Sequence, residues 1–479
     1  MTQRKQITSE RRAKQAAKKH SAASKKFGKQ SSGPRAQTDI AGVARGLKPP
    51  STSKSQQVEI EKPVYGGAFL ARIEGKAVFV PLVLPGEKAR VRVTQSKSGY
   101  ATAEPEEILV AAPDRIAPAC PHFGACGGCH YQHTDYATQL SFKQAILRET
   151  LERGGIAVPA RIESLSANSW AYRNRIRLAF DAAGNPGYRG RRSHAIVPIR
   201  ECPIAAPLLV KAAQTVAKVV RQFAPALHPT EIALFCNPDE SALLVTIFTA
   251  SPPYLRFDEF AQTLQTELPE LTGAELIAKG RPGEQSSLSQ SGAQWGAPSL
   301  TYRAAGFDYR VDHGAFFQVN RWLFDALVQR VVAGQQGNLA WDLFAGVGLF
   351  ARQLTASFTR VVAVESAPAA TAALEANLRG TTGEAVNAET LTFLRRQNLS
   401  VKPDLIVVDP PRTGLGAETC TLLAEIAAPA VTYVSCDPAT LARDLRALTK
   451  SGYQIQSLTL ADLFPQTFHL ETVVHLRLC

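Results

Sequence analysis

Short apolar runs separated by turn signals characterise the chain after its polar N-terminal segment. Between Val58 and Ala112, β-type runs such as Ala77–Leu84 and Ala89–Thr94 alternate with turns such as Gly66-Gly67. Five short strands in about 55 residues predict a small barrel of the OB type, a fold that often binds single-stranded nucleic acid. A barrel with a purely structural role is the alternative.

The middle of the chain, residues 113–310, has mixed α and β patterning. A helix is predicted to begin at Asp135, a favourable N-cap, and to end near Gly154-Gly155. The leucines on one stripe of this helix are Leu140, Leu147 and Leu151. The segment is therefore predicted to be an α+β domain.

From residue 311 onward, strands alternate with helices. The predicted strands are Leu339–Phe344, Arg360–Val364, Asp404–Val408 and Val431–Val434. Such alternation predicts a parallel sheet covered by helices, as in Rossmann-like domains, whose ligands bind at the carboxyl ends of the strands. The fold class expected for the whole chain is therefore multi-domain α/β, with the barrel first and a Rossmann-like domain last.

The charge of the chain is concentrated at its N-terminus. Of the net charge of +13 carried by 479 residues, residues 1–55 contribute +12, from 14 Lys and Arg against Glu10 and Asp39. This segment has too few apolar residues to fold alone, and its charge favours contact with the phosphates of a nucleic acid. A solubilising tail, or a start site assigned too early, are the alternatives. The predicted divisions are a tail at 1–55, the barrel at 56–112, a middle domain at 113–310 and a final domain at 311–479.

No apolar run approaches the length of a membrane span, and the first residues are polar and basic. We therefore expect a cytoplasmic protein with reduced thiols. The eight cysteines should then be ligands, nucleophiles or bystanders rather than disulfides.

Three cysteines lie within ten residues and are separated by glycines. Cys120, Cys126 and Cys129 form a C-x5-C-x2-C motif, and Cys202 is the candidate for a fourth ligand. Four thiolates suit either a structural zinc ion or a [4Fe–4S] cluster, and the residues alone leave both open. Free thiols at this density are not expected.

An arginine-rich hairpin lies between the cysteine motif and Cys202. In the predicted strand Tyr172–Phe180, period-two spacing gives one apolar face and one arginine face. The candidate RNA-binding residues are Arg173, Arg175 and Arg177 on this strand and Arg189, Arg191 and Arg192 after the following turn. Planar guanidinium groups suit phosphates and bases, although a solvated strand face is the alternative.

A glycine-containing turn follows the first strand of the C-terminal domain. The segment Asp342–Gly348 precedes a strand that ends at Glu365, whose carboxylate can accept hydrogen bonds from ribose hydroxyls. The same spacing would fit a nicotinamide dinucleotide. Two later motifs, Asp409-Pro410-Pro411-Arg412 and Ser435-Cys436-Asp437-Pro438, favour a base methyltransferase, because a dehydrogenase needs neither.

Methylation of carbon 5 of uracil requires a thiolate and a base. A thiolate that adds to carbon 6 makes carbon 5 nucleophilic, and a base must then remove the carbon 5 proton. Cys436 lies at a strand end before a predicted helix, Ala439–Leu448, whose N-terminus would help to ionise the thiol. Glu471, at the start of the last strand, is a suitable base. Cys236, Cys420 and Cys479 have no such setting.

Together these motifs resemble the RNA uracil-C5 methyltransferase family, and the first barrel resembles a TRAM domain. The motifs are Cys120–Cys129 with Cys202, Phe317–Asn320, Asp342–Gly348, Asp409–Arg412, Ser435–Pro438 and His469–Glu471. The resemblance implies a final domain that uses S-adenosylmethionine, a [4Fe–4S] cluster in the middle domain, Cys436 as nucleophile and Glu471 as base. It also implies a methyl-donor site lined by Gln318, Phe344, Glu365, Asn387 and Asp409. Members with a TRAM domain mostly act on large-subunit ribosomal RNA, so 23S rRNA is favoured over tRNA as the partner.

The sequence departs from the family pattern near the nucleophile. Asp437 stands where the family usually has Asn, and its charge could raise the pKa of the Cys436 thiol. Ala345 and Leu349 also replace family residues, so no donor-site role is assigned to position 349. An RNA-binding assembly factor with a vestigial site is one competing interpretation. A DNA cytosine methyltransferase is another, but the Pro-Cys motif usual in that class is missing.

Overall fold

A computed structural model describes residues 55–223, 227–250, 256–278, 290–397 and 401–479. The predicted basic tail, residues 1–55, lies outside the described residues except for Ser55. All described residues belong to one unit, Ser53–Cys479. Within this part of the chain, none of the helices combines the length and hydrophobicity that crossing a membrane requires.

The first five strands close into a barrel, as predicted. They are β1 (Gln56–Val64), β2 (Ala68–Ile73), β3 (Lys76–Pro81), β4 (Lys88–Ser96) and β5 (Tyr100–Val110), in the order β1-β2-β3-β5-β4. Alternate side chains such as Phe69, Val80 and Val91 fill the interior. Closure pairs every strand edge, and it leaves the turn at Gly66-Gly67 on one rim of the barrel.

Helix α1 (Tyr136–Arg153) and strand β6 (Glu163–Leu165) follow the barrel. Asp135 caps α1 as predicted, because its side chain accepts a hydrogen bond from the backbone N–H of Thr138. The structure differs from the predicted domain boundary here. Leu147 and Leu151 pack into the core of the C-terminal sheet, and β6 joins that sheet as an edge strand beside its neighbour β21. A local pattern gives the apolar face of a helix but not the surface that covers it.

A second, seven-stranded sheet contains the arginine hairpin. Its strands and helices are β7 (Arg175–Phe180), β8 (Pro186–Arg189), β9 (Ile196–Pro198), α2 (Pro207–Phe223), β10 (Pro229–Cys236), β11 (Leu243–Thr249), α3 (Phe257–Glu267), β12 (Leu271–Ala278) and β13 (Gln290–Gly296). The strand order is β13-β12-β11-β10-β7-β8-β9. Both helices cover one face of this sheet, where residues such as Ile176, Leu234 and Val245 are buried. A two-stranded hairpin, β14 (Ser299–Ala304) and β15 (Phe307–Asp312), leads to the last domain.

The C-terminal domain has an eight-stranded sheet with helices on both faces. Its elements are α4 (Phe324–Val332), β16 (Gly337–Leu343), α5 (Leu349–Leu354), β17 (Phe358–Glu365), α6 (Pro368–Leu378), β18 (Gly383–Asn387), α7 (Thr390–Arg395), β19 (Leu405–Val408), α8 (Gly416–Ile426), β20 (Ala430–Ser435), α9 (Pro438–Lys450), β21 (Tyr453–Ala461) and β22 (Glu471–Leu478). The strand order is β18-β17-β16-β19-β20-β22-β21-β6.

The four predicted parallel strands are confirmed, and the sequence pattern did not predict β18 and β21. Strands β16 to β20 are parallel, whereas β22 is antiparallel to both of its neighbours. The order of the parallel strands reverses between β16 and β19, so ligands are expected at the carboxyl ends of these two strands. Because β22 is antiparallel, its first residue lies at the same edge as the carboxyl end of β20. The antiparallel direction of β22 therefore brings together the residues of the site described next.

Candidate active site

Four of the predicted donor-site residues lie at the carboxyl ends of adjacent strands. Phe344, Glu365, Asn387 and Asp409 end or follow β16, β17, β18 and β19, and the strand register pairs Glu365 with Asn387. Three backbone amides fix the Glu365 carboxylate: Gly346 N–H donates to Oε2 at 2.9 Å, and those of Ser366 and Ala367 donate to Oε1. A carboxylate held so firmly can present its remaining lone pairs to ribose hydroxyls.

The turn after β16 requires unusual backbone conformations. Phe344 has φ +65° although it is not glycine, and Gly346 and Gly348 have φ +57° and +90°. A Cβ atom on Gly348 would lie 2.6 Å from the Leu374 side chain. Non-glycine residues in this region cost about 1–3 kcal/mol each and cluster at functional sites. Three residues of this short turn thus have positive φ, and Gly348 has no room for a side chain.

Gln318 precedes helix α4 and is nearly buried. Its carbonyl accepts a hydrogen bond from Asn174 Nδ2 at 3.1 Å, whereas its side-chain Oε1 is buried and has no partner among the described residues. A buried amide oxygen without a donor is costly, and a ligand that supplies one would relieve that cost.

Asp342, inside the strand that leads to the turn, is fully buried. Its Oδ2 accepts from Ala351 N–H at 2.8 Å, whereas its Oδ1 has no partner among the described residues. Burial raises the pKa of Asp342 to about 8, with a smaller contribution from Asp409 and Glu365.

Cys436 and Glu471 are brought together by the antiparallel pairing of β20 and β22. The register pairs Ser435 with Thr472, so the residues that flank this pair, Cys436 and Glu471, occupy the same sheet edge. The Thr472 hydroxyl donates to Ser435 O at 3.2 Å and ties the two strand ends together. The nucleophile and the base that the sequence suggested therefore adjoin the strand ends of the donor pocket.

Burial and neighbouring charges shift the pKa values of three acidic groups near this edge, Glu471, Asp409 and Cys436. Burial raises the pKa of Glu471 well above its ordinary value, and Asp409 raises it further. Burial also raises the pKa of Asp409, to about 7. The pKa of the Cys436 thiol rises to about 12 because of burial first, and then Glu471 and Asp409, while Arg412 acts in the opposite direction. The Arg412 guanidinium also lies 3.2 Å from His469 Nδ1.

Asp437 has a different role from the one predicted. It is the N-cap of α9, and its Oδ1 accepts hydrogen bonds from Ala439 N–H and Thr440 N–H, both at 3.0 Å. Burial, Glu471 and Asp409 are the largest causes of the raised pKa of Cys436, so the expected effect of Asp437 on the thiol is not the main one. Pro438 occupies the first turn of α9 as predicted, so Cys436 does precede a helix N-terminus.

The sequence pattern missed a residue from the barrel at this centre. Tyr65, just before the Gly66-Gly67 turn, lies with its hydroxyl 3.5 Å from the carbonyl of Cys436, and its ring packs against Phe468 at 5.6 Å. Burial raises the pKa of Tyr65, and Asp437 adds to the effect. Nothing in the local sequence indicates this contact, which depends on docking of the barrel.

The four predicted cysteine ligands line one cavity. Cys120, Cys126, Cys129 and Cys202 border a space of about 40 Å³ together with Gln132, Arg173 and Tyr188. None of them forms a disulfide, as predicted. Burial raises the pKa of all four thiols, that of Cys129 to about 12. In the described part of the chain, no three or more His, Cys, Asp or Glu side chains form a group that could hold a metal ion.

The arginine face predicted for Tyr172–Phe180 does not present all three arginines for RNA binding, and that prediction is corrected for Arg173 and Arg175. Arg173 borders the cysteine cavity, and Arg175 donates to Ala315 O at 2.6 Å while its guanidinium lies over the Phe235 ring. Loops from distant parts of the chain cover the face that alternation marked as polar.

The remaining four arginines border an open cleft of about 550 Å³. The cleft lies between the barrel turn at Gly66-Gly67, the cysteine segment and the hairpin, and its arginines are Arg177, Arg189, Arg191 and Arg192. Arg191 and Arg192 pair with Glu104 of the barrel, and Arg177 pairs with Glu231. Arg189 contacts His194 at 3.3 Å. The hairpin is thereby fixed to the barrel.

Comparison with known proteins agrees with this architecture. Residues 53–105 match the TRAM domain, and residues 297–478 match the tRNA (uracil-5-)-methyltransferase family. The tRNA (uracil-54, C5)-methyltransferase of Pyrococcus abyssi, solved with S-adenosyl-L-homocysteine, superposes with a TM-score of 0.70 at 24% identity, covering 88% of this chain and 100% of that one. The fold is therefore a TRAM barrel followed by a C-terminal methyltransferase domain.

Sequence relatives define the family. An uncharacterised RNA methyltransferase of Streptomyces avermitilis is 33% identical over 444 residues, covering 88% of this chain and 98% of that protein. A 23S rRNA (uracil(1939)-C(5))-methyltransferase of Shewanella amazonensis is 32% identical over 447 residues, covering 88% and 96%. The chain belongs to the family of S-adenosylmethionine-dependent RNA uracil-C5 methyltransferases.

Proposed function

We propose that this methyltransferase modifies a uridine of large-subunit ribosomal RNA through a covalent intermediate on Cys436. The observation that carries the proposal is the shared sheet edge of Cys436 and Glu471 beside Asp409. The methyl-donor site is formed by Gln318, Phe344, Glu365, Asn387 and Asp409. When bound there, S-adenosylmethionine supplies the electrophilic methyl group.

Each residue then has a defined step. The Cys436 thiolate adds to carbon 6 of uracil, and the electron pair of the 5,6 double bond becomes an enolate. Carbon 5 takes the methyl group, and S-adenosylhomocysteine leaves. Glu471 removes the carbon 5 proton, the double bond re-forms, and the thiolate is expelled. The raised pKa of Glu471 makes it a stronger proton acceptor than an ordinary carboxylate.

RNA that contains 5-fluorouridine tests the nucleophile, because fluorine at carbon 5 cannot be removed as a proton. The native enzyme should form a denaturant-stable adduct with this RNA, and Cys436→Ala should form none. Cys479→Ala is the matched control, because Cys479 is exposed at the chain end. An adduct that survives Cys436→Ala would refute the assignment.

Large-subunit rRNA is favoured over tRNA by the named relatives. Relatives at 32% identity are named for 23S rRNA, whereas the tRNA enzyme supports only the fold, at 24% identity. Mass spectrometry of 5-methyluridine in both RNAs from a deletion strain tests this choice, with complementation by Cys436→Ala as control. Loss of the modification from tRNA alone would contradict the proposal.

We infer that Cys120, Cys126, Cys129 and Cys202 hold a [4Fe–4S] cluster. The cavity they line is bordered by two side chains with donor groups: Tyr188 Oη, which has no partner among the described residues, and Gln132, whose side chain interacts with Cys129. Sulfide and thiolate sulfurs would accept hydrogen bonds from such donors. The four thiols line one shared cavity, which would let each of four irons take one thiolate.

When bound, the cluster would link the cysteine segment to Cys202. Anaerobic purification should yield a brown protein with about four iron and four sulfide per chain. Cys202→Ser should lose the colour, whereas Cys479→Ser should keep it. A colourless native protein that contains one zinc would overturn the inference.

The arginine-lined cleft is our candidate RNA surface, with residues 56–112 as its TRAM wall. Arg189 is exposed and is not paired with a carboxylate in the structure, so it can meet a phosphate directly. Arg189→Ala should weaken RNA binding and reduce the salt slope by about one, with unchanged thermal stability. Arg191→Ala should weaken RNA binding and also lower thermal stability, because both terminal nitrogens of Arg191 donate hydrogen bonds to the Glu104 carboxylate. Equal RNA affinity for Arg189→Ala and the native protein would exclude this surface.

A further inference from the structure

The loop that delivers Glu471 to the active site is held from outside the methyltransferase sheet. It comprises residues 462–470, between the end of β21 and the start of β22, and contains His469. Its first residues are bound by Lys143 of α1, and the carbonyl of Pro465 accepts a hydrogen bond from the Tyr172 hydroxyl at 3.1 Å. The position of Glu471 therefore depends on residues about 300 positions earlier in the chain.

Gln139 of α1 and Gln466 of the loop form a reciprocal pair. Gln466 N–H donates to Gln139 Oε1 at 3.0 Å, and Gln139 Nε2 donates to Gln466 Oε1 at 2.9 Å. Gln139 Nε2 also donates to Thr134 O at 3.1 Å. Both glutamines are buried, at 1% and 2% exposure. Buried amides with all partners in place define one loop geometry, since any displacement leaves polar atoms unpaired.

Gln466 has a left-handed backbone, with φ +68°. A non-glycine residue holds this conformation only where its surroundings impose it. The carbonyl of Gln466 accepts two more hydrogen bonds, from His130 N–H at 2.8 Å and Tyr131 N–H at 3.1 Å. These two residues directly follow Cys129. The cysteine segment and α1 thus hold the same loop residue from two sides.

The end of the loop is packed in the same way. The Phe468 ring contacts that of His130, with centroids 4.7 Å apart, and it also contacts His469 at 4.3 Å. Glu471 is only five positions after Gln466, so the anchored carbonyl lies close along the chain to the carboxylate.

We propose that Gln139 is a positioning residue for the proton-removal step. It sets the loop 462–470 so that Glu471 faces carbon 5 of the methylated uracil. The inference rests on the proposed role of Glu471 as the base. Besides linking the cysteine segment to Cys202, a cluster at the cysteine site would also stabilise the loop 462–470, because the segment that follows Cys129 binds this loop.

The test is a single-turnover reaction with ordinary uridine RNA, in which the covalent methylated intermediate is trapped by denaturation. Gln139→Leu removes the amide and keeps a similar volume. Adduct formation should keep its native rate, while release of methylated RNA slows, up to about 100-fold if the carboxylate moves by about 1 Å. The adduct should therefore accumulate, which a general loss of folded protein would not produce.

Gln144→Leu is the matched control on the same helix. The Gln144 side chain is only partly buried and bonds to Ile162 O and Ser164 Oγ, so unlike Gln139 it makes no hydrogen bond of its own to the loop 462–470 in the described structure. This variant should release product at the native rate. If Gln139→Leu does not fold, Gln466→Gly removes the loop's amide side chain and allows the positive φ, and it should also accumulate adduct.

Glu471→Gln distinguishes the two ways in which this could fail. If Glu471→Gln does not accumulate adduct, the assignment of the base falls. If Glu471→Gln does accumulate adduct, but Gln139→Leu and Gln466→Gly release product at the native rate, the positioning role of Gln139 is refuted. Equal slowing of adduct formation and release would also overturn it, because that result indicates a general structural defect.

Discussion

Replacement of Lys143 by Met should destabilise the protein in a pH-dependent way. Lys143 Nζ lies 2.5 Å from Asp462 Oδ1 and 3.0 Å from the carbonyl of Phe464, and both charged side chains have no solvent exposure. Methionine fills a similar volume but leaves the carboxylate buried without its partner. The Tyr136 hydroxyl is a neutral neighbour of the same carboxylate and cannot replace the lost positive charge.

The size of the effect follows from the protonation of a buried carboxylate. Breaking a buried pair on one side costs about 3–5 kcal/mol, a large part of the roughly 5–15 kcal/mol that stabilises a typical fold. The variant can limit this cost if the folded state takes up a proton. For an aspartate with the ordinary pKa of about 3.9, that costs about 4 kcal/mol at pH 7 and about 1.5 kcal/mol at pH 5.

The sign of the pH dependence is therefore defined. In the variant, the folded state holds a proton that the unfolded chain releases above about pH 3.9, so its stability falls as pH rises. Equilibrium urea unfolding at pH 5 and pH 7 measures the difference from the native protein. The double variant Lys143→Met/Asp462→Asn is the control, and it should lose this pH dependence because asparagine cannot ionise. A loss below about 1 kcal/mol at pH 7 and no change with pH would refute the reasoning.

Two further predictions concern the barrel and the donor site. Gly67→Ala should impair docking of the barrel on the loop 462–470, because a Cβ atom there would lie 2.7 Å from the His130 ring and 3.1 Å from Phe468. Gly66→Ala is the control: Gly66 also has a positive φ but has no atom within 4 Å of the added Cβ, so this variant should show only the backbone cost of about 1–3 kcal/mol. Equal unfolding midpoints for the two variants would contradict this prediction. The affinity for S-adenosylmethionine should rise as pH increases through about 7, where Asp409 ionises, because the negative carboxylate attracts the positive sulfonium of the donor. Calorimetry should show a weaker dependence for S-adenosylhomocysteine, whose sulfur is neutral, and identical pH profiles would exclude Asp409 as the responsible group.

The elements of the C-terminal domain could be predicted because buried parallel strands leave apolar runs in the sequence. Leu405–Val408 and Ala430–Ser435 are fully buried, and each is followed by residues with distinctive chemistry. Position at a strand end therefore predicted the neighbourhood of Cys436 and Asp409. The start of the last strand at Glu471 was predicted as well.

Long-range partners could not be predicted by the same reasoning. Gln139 and Lys143 are polar residues on the buried face of α1. Nothing in the local sequence indicates that Gln139 forms a hydrogen bond with Gln466, or that Lys143 forms an ion pair with Asp462. The alternation of apolar and arginine residues correctly separated the two faces of the strand that contains Arg175. It could not show that the backbone at Ala315 covers the second face.

The electrostatics of the free active site indicate why a thiolate should form only after the donor binds. Burial raises the pKa of Asp409, Glu471 and Cys436, and the Arg412 cation opposes the rise at Glu471 and Cys436. A thiol with a pKa of about 12 is almost entirely protonated near neutral pH, so the enzyme without ligands is a poor nucleophile. The positive charge of a bound sulfonium would offset the carboxylates that raise the pKa of the thiol, and so would favour its ionisation. The excess of acidic over basic groups among these residues therefore matches the cationic methyl donor that we propose, and we expect Cys436 to ionise only once that donor is bound.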